Sequence, residues 1–246
     1  MAILPKHKTP PVLTMERQTI LLYAHAKFGK STIAAGSPDA IFFATEAGLN
    51  HLDVYQVPIH TWEDLLLASK EIVAGDHPFK TVVIDTVDNA YRLCSEYICS
   101  QHGIKHESDL GYGKGWSLVN GEFQRVLTKL SLLPFGLFLI SHAVEREIET
   151  RTGNYTRIVP TLPDKARKII LGMSDFILYG DIEEVTDRDG KSVSKRILRT
   201  KPTRHYEAGD RTGKLPENID ASYDAFWTVY QKNIINPTQQ NKGTKS

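Results

Sequence analysis

The sequence has little cysteine, no long hydrophobic run and almost no net charge. Its 246 residues include two cysteines, Cys94 and Cys99, which are too few for a disulfide framework or a four-cysteine zinc site. The longest apolar run, 132–140, is broken by Pro134 and Gly136 and is shorter than the roughly 20 residues of a membrane helix. Residues 1–15 lack the apolar core of a signal peptide. We therefore expect a protein of the reducing cytoplasm without a membrane partner.

The near absence of net charge excludes a uniformly basic nucleic-acid coat and an acidic tail protein. Lys and Arg number 30 and Asp and Glu number 29, so the formal net charge is +1. This balance hides a local excess, because the segment 187–214 holds nine basic and four acidic residues, a net charge of +5. Electrostatic steering depends on where charges lie, so the sequence predicts one basic region.

Apolar runs alternate with helical patterns, which predicts an α/β fold with a mostly parallel central sheet. The predicted strands are 19–24, 40–44, 80–85, 135–141 and 175–179. One helix is predicted to begin at Ser31, and the others cover 62–74, 87–101, 116–133, 165–173 and 221–232. Residues 144–160 read as a β-ribbon or a mobile loop around 152–154, and 182–199 as a hairpin that turns at 187–190. The predicted divisions are a flexible arm (1–16), a folded domain (17–233) and a polar tail (234–246).

The most informative segment joins the first strand to the first helix. It ends in Gly29-Lys30-Ser31, as a phosphate-binding loop does, with Ala24 at the place of the first glycine. A glycine lets backbone N–H groups approach a triphosphate, Lys30 can reach the β- and γ-phosphates, and Ser31 can bind Mg²⁺. The sequence thus predicts that ATP and Mg²⁺ are bound here, with the nucleotide contacted by Ala24, His25, Ala26, Lys27, Phe28, Gly29, Lys30, Ser31 and Thr32.

A second acidic element supports this prediction. The apolar strand 81–85 ends in Asp85, and a carboxylate at the carboxyl edge of a parallel sheet lies beside the metal ion of such a site. Ser31 and Asp85 are therefore the predicted Mg²⁺ ligands. Asp88, close behind, is expected to be the N-cap of the following helix.

After the phosphate loop, the chain has a strand leading to Glu46, then the strand ending at Asp85, then a strand ending at Ser141–His142. This order of motifs resembles the ATPase core of the RecA/RadA recombinases. The chain is similar in particular to the short, core-only, AAA-type P-loop proteins of phages that act in single-strand annealing and recombination. The resemblance covers about residues 17–230. It implies a RecA-like P-loop NTPase core with helices on both sides of the sheet, a hairpin-rich carboxyl-terminal part, and the host cytoplasm if the gene is carried by a phage.

The resemblance also implies roles for individual residues. Glu46 would orient the attacking water, and His142 would sense the γ-phosphate. Arg199 and Lys201 would reach the ATP of a neighbouring subunit, where a cation neutralises transition-state charge. The implied catalytic set is Lys30, Glu46, Asp85, His142, Arg199 and Lys201.

The segment after His142 matches the DNA-binding loop region of that family. Its candidate nucleic-acid residues are Arg146, Arg151, Tyr155 and Arg157, since arginine neutralises phosphate and tyrosine stacks on bases. Glutamates alternate with these residues, so an exposed hairpin with paired charges is the alternative reading.

The first functional hypothesis is an ATPase stimulated by single-stranded DNA, assembled as a homo-oligomeric ring or filament that promotes annealing or exchange. A single-strand DNA-binding protein is a further candidate partner. The alternatives are an ATP-gated interaction module with little turnover and a P-loop small-molecule kinase. ATP hydrolysis measured with and without single-stranded DNA separates the three.

Overall fold

The computed structural model describes residues 4–151, 153–186 and 190–237. Over these ranges the chain forms one ten-stranded sheet with six α-helices. The strands are β1 (Thr19–Ala24), β2 (Ala40–Ala44), β3 (Tyr55–Pro58), β4 (Thr81–Asp85), β5 (Gly136–Ile148), β6 (Tyr155–Pro160), β7 (Phe176–Thr186), β8 (Ser192–Arg199), β9 (Gly209–Asp210) and β10 (Asn218–Asp220). The helices are α1 (Lys30–Ala35), α2 (Trp62–Ala74), α3 (Val87–Gln101), α4 (Lys114–Ser131), α5 (Asp164–Met173) and α6 (Tyr223–Tyr230).

The middle of the sheet is parallel and its ends are not. The strand order is β10-β8-β7-β1-β5-β4-β2-β3, and the neighbours from β7 to β3 pair in parallel. β8 and β10 extend one end antiparallel, while β6 pairs with the far half of β5 and β9 with the start of β7. The predicted α/β class with a mostly parallel sheet and a hairpin-rich carboxyl-terminal part is confirmed.

Helices cover both faces of the sheet, which explains the continuous apolar runs of the central strands. Side chains alternate along β1, so Leu21 packs into one core while Ile20 and Leu22 pack into the other. The first core is closed by α2, α3, α4 and α5, and the second by α1 and α6. Every residue of β1 is buried, so this strand is a fixed base for the loop that follows it.

Several predicted elements are corrected. The predicted strand 135–141 and the first arm of the ribbon after it are one strand, β5. Its apolar half pairs with β1 and β4, and its polar half pairs with β6, the second arm of the ribbon. The strand 175–179 likewise continues into the hairpin as β7. β3 is missing from the prediction, because it is a short and mostly exposed edge strand without a clear alternation. Residue 152 and residues 187–189 of the predicted turns lie outside the described residues.

The expected role of Asp88 as an N-cap is wrong. Thr86 occupies the N-cap position of α3, and Asp88 lies in its first turn. Its side chain points to β5 instead, where it accepts hydrogen bonds from Ser141 and the backbone of His142.

At the predicted arm, Met15 is buried and the carbonyl of Leu13 accepts a hydrogen bond from the Tyr230 hydroxyl. At the other end, α6 continues into a π-helical turn, Gln231–Ile235, in which Ile234 is buried. The division into arm, domain and tail stays a prediction. Among the helices described, none is long and apolar enough to cross a membrane.

Candidate nucleotide-binding site

The predicted site residues meet because parallel strands end at one edge of the sheet. In the strand register Ala24 lies beside His142, and Ala44, two residues before Glu46, lies beside Asp85. This edge opens into a cavity of about 390 Å³. The cavity is lined by Ala26, Lys27, Gly29, Lys30, Ser31, Thr32, Glu46, Ala47, Gly48, His51, Asp85, His142 and Arg196.

The loop between β1 and α1 needs glycine at one position and tolerates alanine at another. Gly29 has φ 100°, a left-handed conformation that favours glycine. Lys27 also has a positive φ, at 65°. Ala24 is the last residue of β1 and has no positive φ. An alanine therefore fits where phosphate loops often carry their first glycine.

Phe28 holds the loop against the sheet, because its side chain is buried. Its ring lies against Gly180 of β7, where an added Cβ would come within 2.4 Å of the Phe28 ring. Gly180 also pairs with Ala24 in the register of β1 and β7. A glycine in the neighbouring strand thus makes the space that the loop occupies, a requirement that the loop motif does not reveal.

Lys30 is buried, and the end of its side chain is held at the head of the loop. Its Nζ donates hydrogen bonds to the carbonyls of Ala24 at 3.1 Å and His25 at 3.2 Å, and lies 3.4 Å from Nδ1 of His142. Burial lowers the pKa of Lys30, while the nearby Asp85, Glu46 and Asp88 carboxylates oppose that shift. The ammonium group is thus positioned before any phosphate binds.

Ser31 and Asp85, the predicted metal ligands, are in direct contact. The Ser31 hydroxyl donates to Oδ2 of Asp85 at 2.6 Å. The pKa of Asp85 is raised because the carboxyl group is buried, although the hydrogen bond from Ser31 opposes this shift. A hydroxyl and a carboxylate at the mouth of a phosphate loop are the oxygen ligands that Mg²⁺ takes beside substrate phosphates. The residues present fit the ion.

Glu46 lies across the cavity from the loop and is held by two side chains. Its Oε1 is 3.4 Å from Nε2 of His142, and its Oε2 accepts a hydrogen bond from Asn89 at 3.0 Å. The hydrogen bond with His142 lowers the pKa of Glu46, and the same bond raises the pKa of His142. Glu46 is therefore an ionised carboxylate at neutral pH.

Asp88 positions His142 by contacting β5, a role that the sequence analysis did not predict. Its Oδ1 accepts the Ser141 hydroxyl at 2.6 Å, and its Oδ2 accepts the backbone N–H of His142 at 2.7 Å. Burial raises the pKa of Asp88 to about 6. This carboxylate fixes β5 at the point where the strand leaves the parallel sheet.

A profile for an AAA domain matches residues 16–212, which include all the strands and helices described above except β10, α6 and the π-helical turn after α6. The chain belongs to this AAA domain family. The finding agrees with the loop, the Ser31–Asp85 pair and the parallel sheet.

The chain is similar to a prophage protein in sequence and to an archaeal protein among solved structures. The SPbeta prophage-derived uncharacterized protein YorG of Bacillus subtilis is 23% identical over 198 residues, which are 78% of this chain. The chain spans only 59% of the length of that relative. Among solved structures, the flagellar accessory protein FlaH of Methanocaldococcus jannaschii aligns over 82% of this chain and 83% of its own. Its sequence identity is 10% and its TM-score 0.42.

Two predicted catalytic cations of the AAA domain lie outside the cavity. Nε of Arg199 is 3.0 Å from Oδ2 of Asp181, and Nζ of Lys201 is 3.0 Å from Oδ2 of Asp210. β8 ends at Arg199, so Lys201 lies beyond the strand. Their action in a neighbouring subunit stays a prediction.

Arg196, on the same strand, lines the cavity, although the sequence did not single it out. Side chains three residues apart on a strand point to opposite faces. The strand prediction therefore held a signal that Arg196 and Arg199 face different surroundings.

The ribbon formed by β5 and β6 contains the predicted nucleic-acid residues. Arg146 and Arg157 are opposite each other in the register, but each is paired with a carboxylate, Arg146 with Asp164 at 2.8 Å and Arg157 with Glu207 at 3.1 Å. The guanidinium of Arg204 lies 4.1 Å from the centre of the Tyr155 ring. The paired-charge reading thus describes Arg146 and Arg157, although their partners lie outside the ribbon.

Arg151 differs from the other ribbon arginines. It is exposed in the connection between β5 and β6, and no ion pair to it is found within the described part of the chain. DNA binding by the ribbon stays a prediction.

Proposed function

We propose that this AAA domain binds ATP with Mg²⁺ and hydrolyses it. The observation that carries the proposal is the convergence of Lys30, the Ser31–Asp85 pair and Glu46 on one cavity at the end of the parallel sheet. Lys30 and Ser31 are adjacent in the loop, whereas Asp85 and Glu46 follow two other strands. Each of the three features matches one requirement of phosphoryl transfer.

The cavity has two functional sides. We call the side formed by the loop, Ser31 and Asp85 the phosphate wall, and the side formed by Glu46 the water wall. The loop backbone and Lys30 bind the phosphates, and the amino end of α1 favours their negative charge. Ser31 and Asp85 would hold Mg²⁺, which would neutralise negative charge on the bound phosphates.

Glu46 orients a water for attack in line with the bond to ADP and accepts a proton from it. The new phosphorus–oxygen bond forms as the bond to ADP breaks. Because the pKa of Glu46 is lowered, its carboxylate is ionised at neutral pH and can accept a hydrogen bond from the water before the proton is transferred.

We further propose that the protein acts as a RecA-like oligomer on single-stranded DNA, in annealing or recombination. The resemblance of its motif order supports this. β5 supports it too, because the strand runs from the cavity at His142 directly into the ribbon at Ala143. A change in how His142 contacts the nucleotide would therefore act on the strand that carries Arg146 and that pairs with β6, where Tyr155 and Arg157 lie.

The test is ATP hydrolysis by the full chain with and without single-stranded DNA, for the wild type and Lys30→Ala. Lys129→Ala is the matched control, because Lys129 is exposed on α4 outside the site. We expect turnover that DNA stimulates, lost in Lys30→Ala and retained in Lys129→Ala. ATP binding without turnover would favour the ATP-gated module, and phosphate transfer to a small acceptor would favour the kinase. If the wild type does not bind ATP, the proposed function is wrong.

A further inference from the structure

Arg196 brings a positive charge from a distant hairpin to the phosphate loop. It belongs to β8, and its Nη1 donates a hydrogen bond to the carbonyl of Phe28 at 2.9 Å. A Cβ on Gly29 would lie 3.2 Å from the same Nη1. The guanidinium group is thus packed against the glycine that leads to Lys30, and the side chain lines the same cavity as Lys30, Ser31 and Glu46.

Three basic residues close to Arg196 in the sequence are each paired with a carboxylate. Lys195 pairs with Asp220 at 2.6 Å, Arg199 with Asp181, and Lys201 with Asp210. Among the residues that the structure describes, no carboxylate forms an ion pair with Arg196. Its one hydrogen-bond acceptor there, the Phe28 carbonyl, is neutral, so the charge of Arg196 stays uncompensated beside the cavity.

A guanidinium group has five N–H donors in a planar fork that matches phosphate oxygens. The bond to Phe28 uses one of these donors and fixes the direction of the others. A polyphosphate in the cavity would supply the negative charge that the protein does not provide. Hydrogen bonds between charged partners are about twice as strong as neutral ones, which favours phosphate as the partner of Arg196.

We propose that Arg196 is a nucleotide-binding residue that contacts the phosphates of ATP within its own subunit. This inference rests on the proposed function, because it assumes that the loop binds ATP. Arg196 would supply, from the same chain, the positive charge that the family resemblance assigned to Arg199 and Lys201 of a neighbouring subunit.

The test is calorimetric titration of ATP into the full chain at two salt concentrations, for the wild type, Arg196→Ala and Arg196→Lys. Lys195→Ala is the matched control, because it removes the adjacent charge of β8, which Asp220 already neutralises. We expect Arg196→Ala to weaken ATP binding about 10- to 100-fold and to reduce its salt dependence. Arg196→Lys should recover part of the affinity, and Lys195→Ala should bind like the wild type.

Melting without nucleotide separates phosphate binding from simple bracing of the loop. We expect Arg196→Ala and the wild type to melt at similar temperatures without ATP. Unchanged ATP affinity in Arg196→Ala would overturn the proposal. It would also be overturned by an equal loss in Lys195→Ala, or by a loss that Arg196→Lys does not relieve and that comes with a lower melting temperature. Failure of the wild type to bind ATP would instead remove the proposed function itself.

Discussion

The nucleotide cavity and the β5–β6 ribbon are connected by strand β5, but their charged residues have different partners. At the cavity, Lys30 is held by backbone carbonyls, and Ser31 contacts Asp85. On the ribbon, Arg146 and Arg157 are each matched by a carboxylate of the same chain. Lys30 forms no ion pair with a carboxylate among the described residues and can bind a ligand, whereas two of the three ribbon arginines are already neutralised.

The difference shows which sequence patterns predict the role of a residue reliably. A phosphate loop is defined by backbone requirements, such as the positive φ of Gly29, and these are local to the motif. A basic residue on a strand acquires its role from whatever lies opposite in space. Arg196 and Arg199 belong to one short basic run, yet one lines the cavity and the other is paired with Asp181.

The largest effect is expected at the water wall of the cavity. Glu46→Gln should retain ATP binding and lower hydrolysis by at least about 100-fold, because an amide cannot accept the proton of the attacking water. Binding by calorimetry and phosphate release by a coupled assay check both parts. Glu63→Gln, an exposed position on α2, is the control. Normal hydrolysis by Glu46→Gln would show that another group orients the water.

A smaller effect is expected where the cavity joins the ribbon. Asp88→Ala leaves the Ser141 hydroxyl and the His142 N–H without their partner, which should cost about 1–3 kcal/mol of unfolding free energy. Because β5 is then released at the cavity, hydrolysis should fall about tenfold. Chemical denaturation and the phosphate assay measure the two effects, with the exposed Asp76→Ala as control. Stability lost without any loss of activity would limit Asp88 to a structural role.

On the ribbon, the exposed Arg151 should matter more for DNA than the paired Arg146. Arg151→Ala should weaken binding of single-stranded DNA a few-fold and reduce the slope of log affinity against log salt by about 0.7, the value for one phosphate contact. Arg146→Ala should leave the slope unchanged, since Asp164 already neutralises that charge. Fluorescence anisotropy across a salt series measures both. A larger slope change for Arg146 than for Arg151 would reverse the proposed contrast.

The smallest effect concerns pH and the Glu46–His142 contact. Lys30, Glu46 and Asp88 all act on His142, and its hydrogen bond with Glu46 raises its pKa above the usual 6.5. The histidine therefore contributes stability below about pH 6.5 that is lost as pH rises through its raised pKa. The lowered pKa of Glu46 makes that residue's contribution disappear as pH falls through it.

The stabilising window thus lies between the pKa values of the two partners. We expect the wild type to melt about 1–3 °C above His142→Gln near pH 5.5, and this difference to shrink by pH 8.5. Scanning fluorimetry across that range measures it. A difference that grows toward pH 8.5 would contradict the expected sign.

Prediction from the sequence succeeded where a local pattern sufficed. The apolar runs of β1, β2 and β4 located the sheet, and the segment at Gly29-Lys30-Ser31 located the loop within it. Asp85 and Glu46 could be placed as well, because parallel strands deliver their carboxyl ends to one edge. The limits of β5 and β7 could not, since polarity changes along each strand while its hydrogen-bonded pairing continues.

The α/β class, the phosphate loop and the acidic residues at or just after two strand ends could be predicted from sequence, because they depend on periodicity and on backbone conformation within a few residues. The partner of each charged side chain became visible only in the folded chain. It brought Arg196 to a loop 168 residues away, set Gly180 under Phe28, and turned Asp88 toward β5. Such contacts join segments that are distant in the chain, and their free energy depends on burial and distance, which no local pattern encodes.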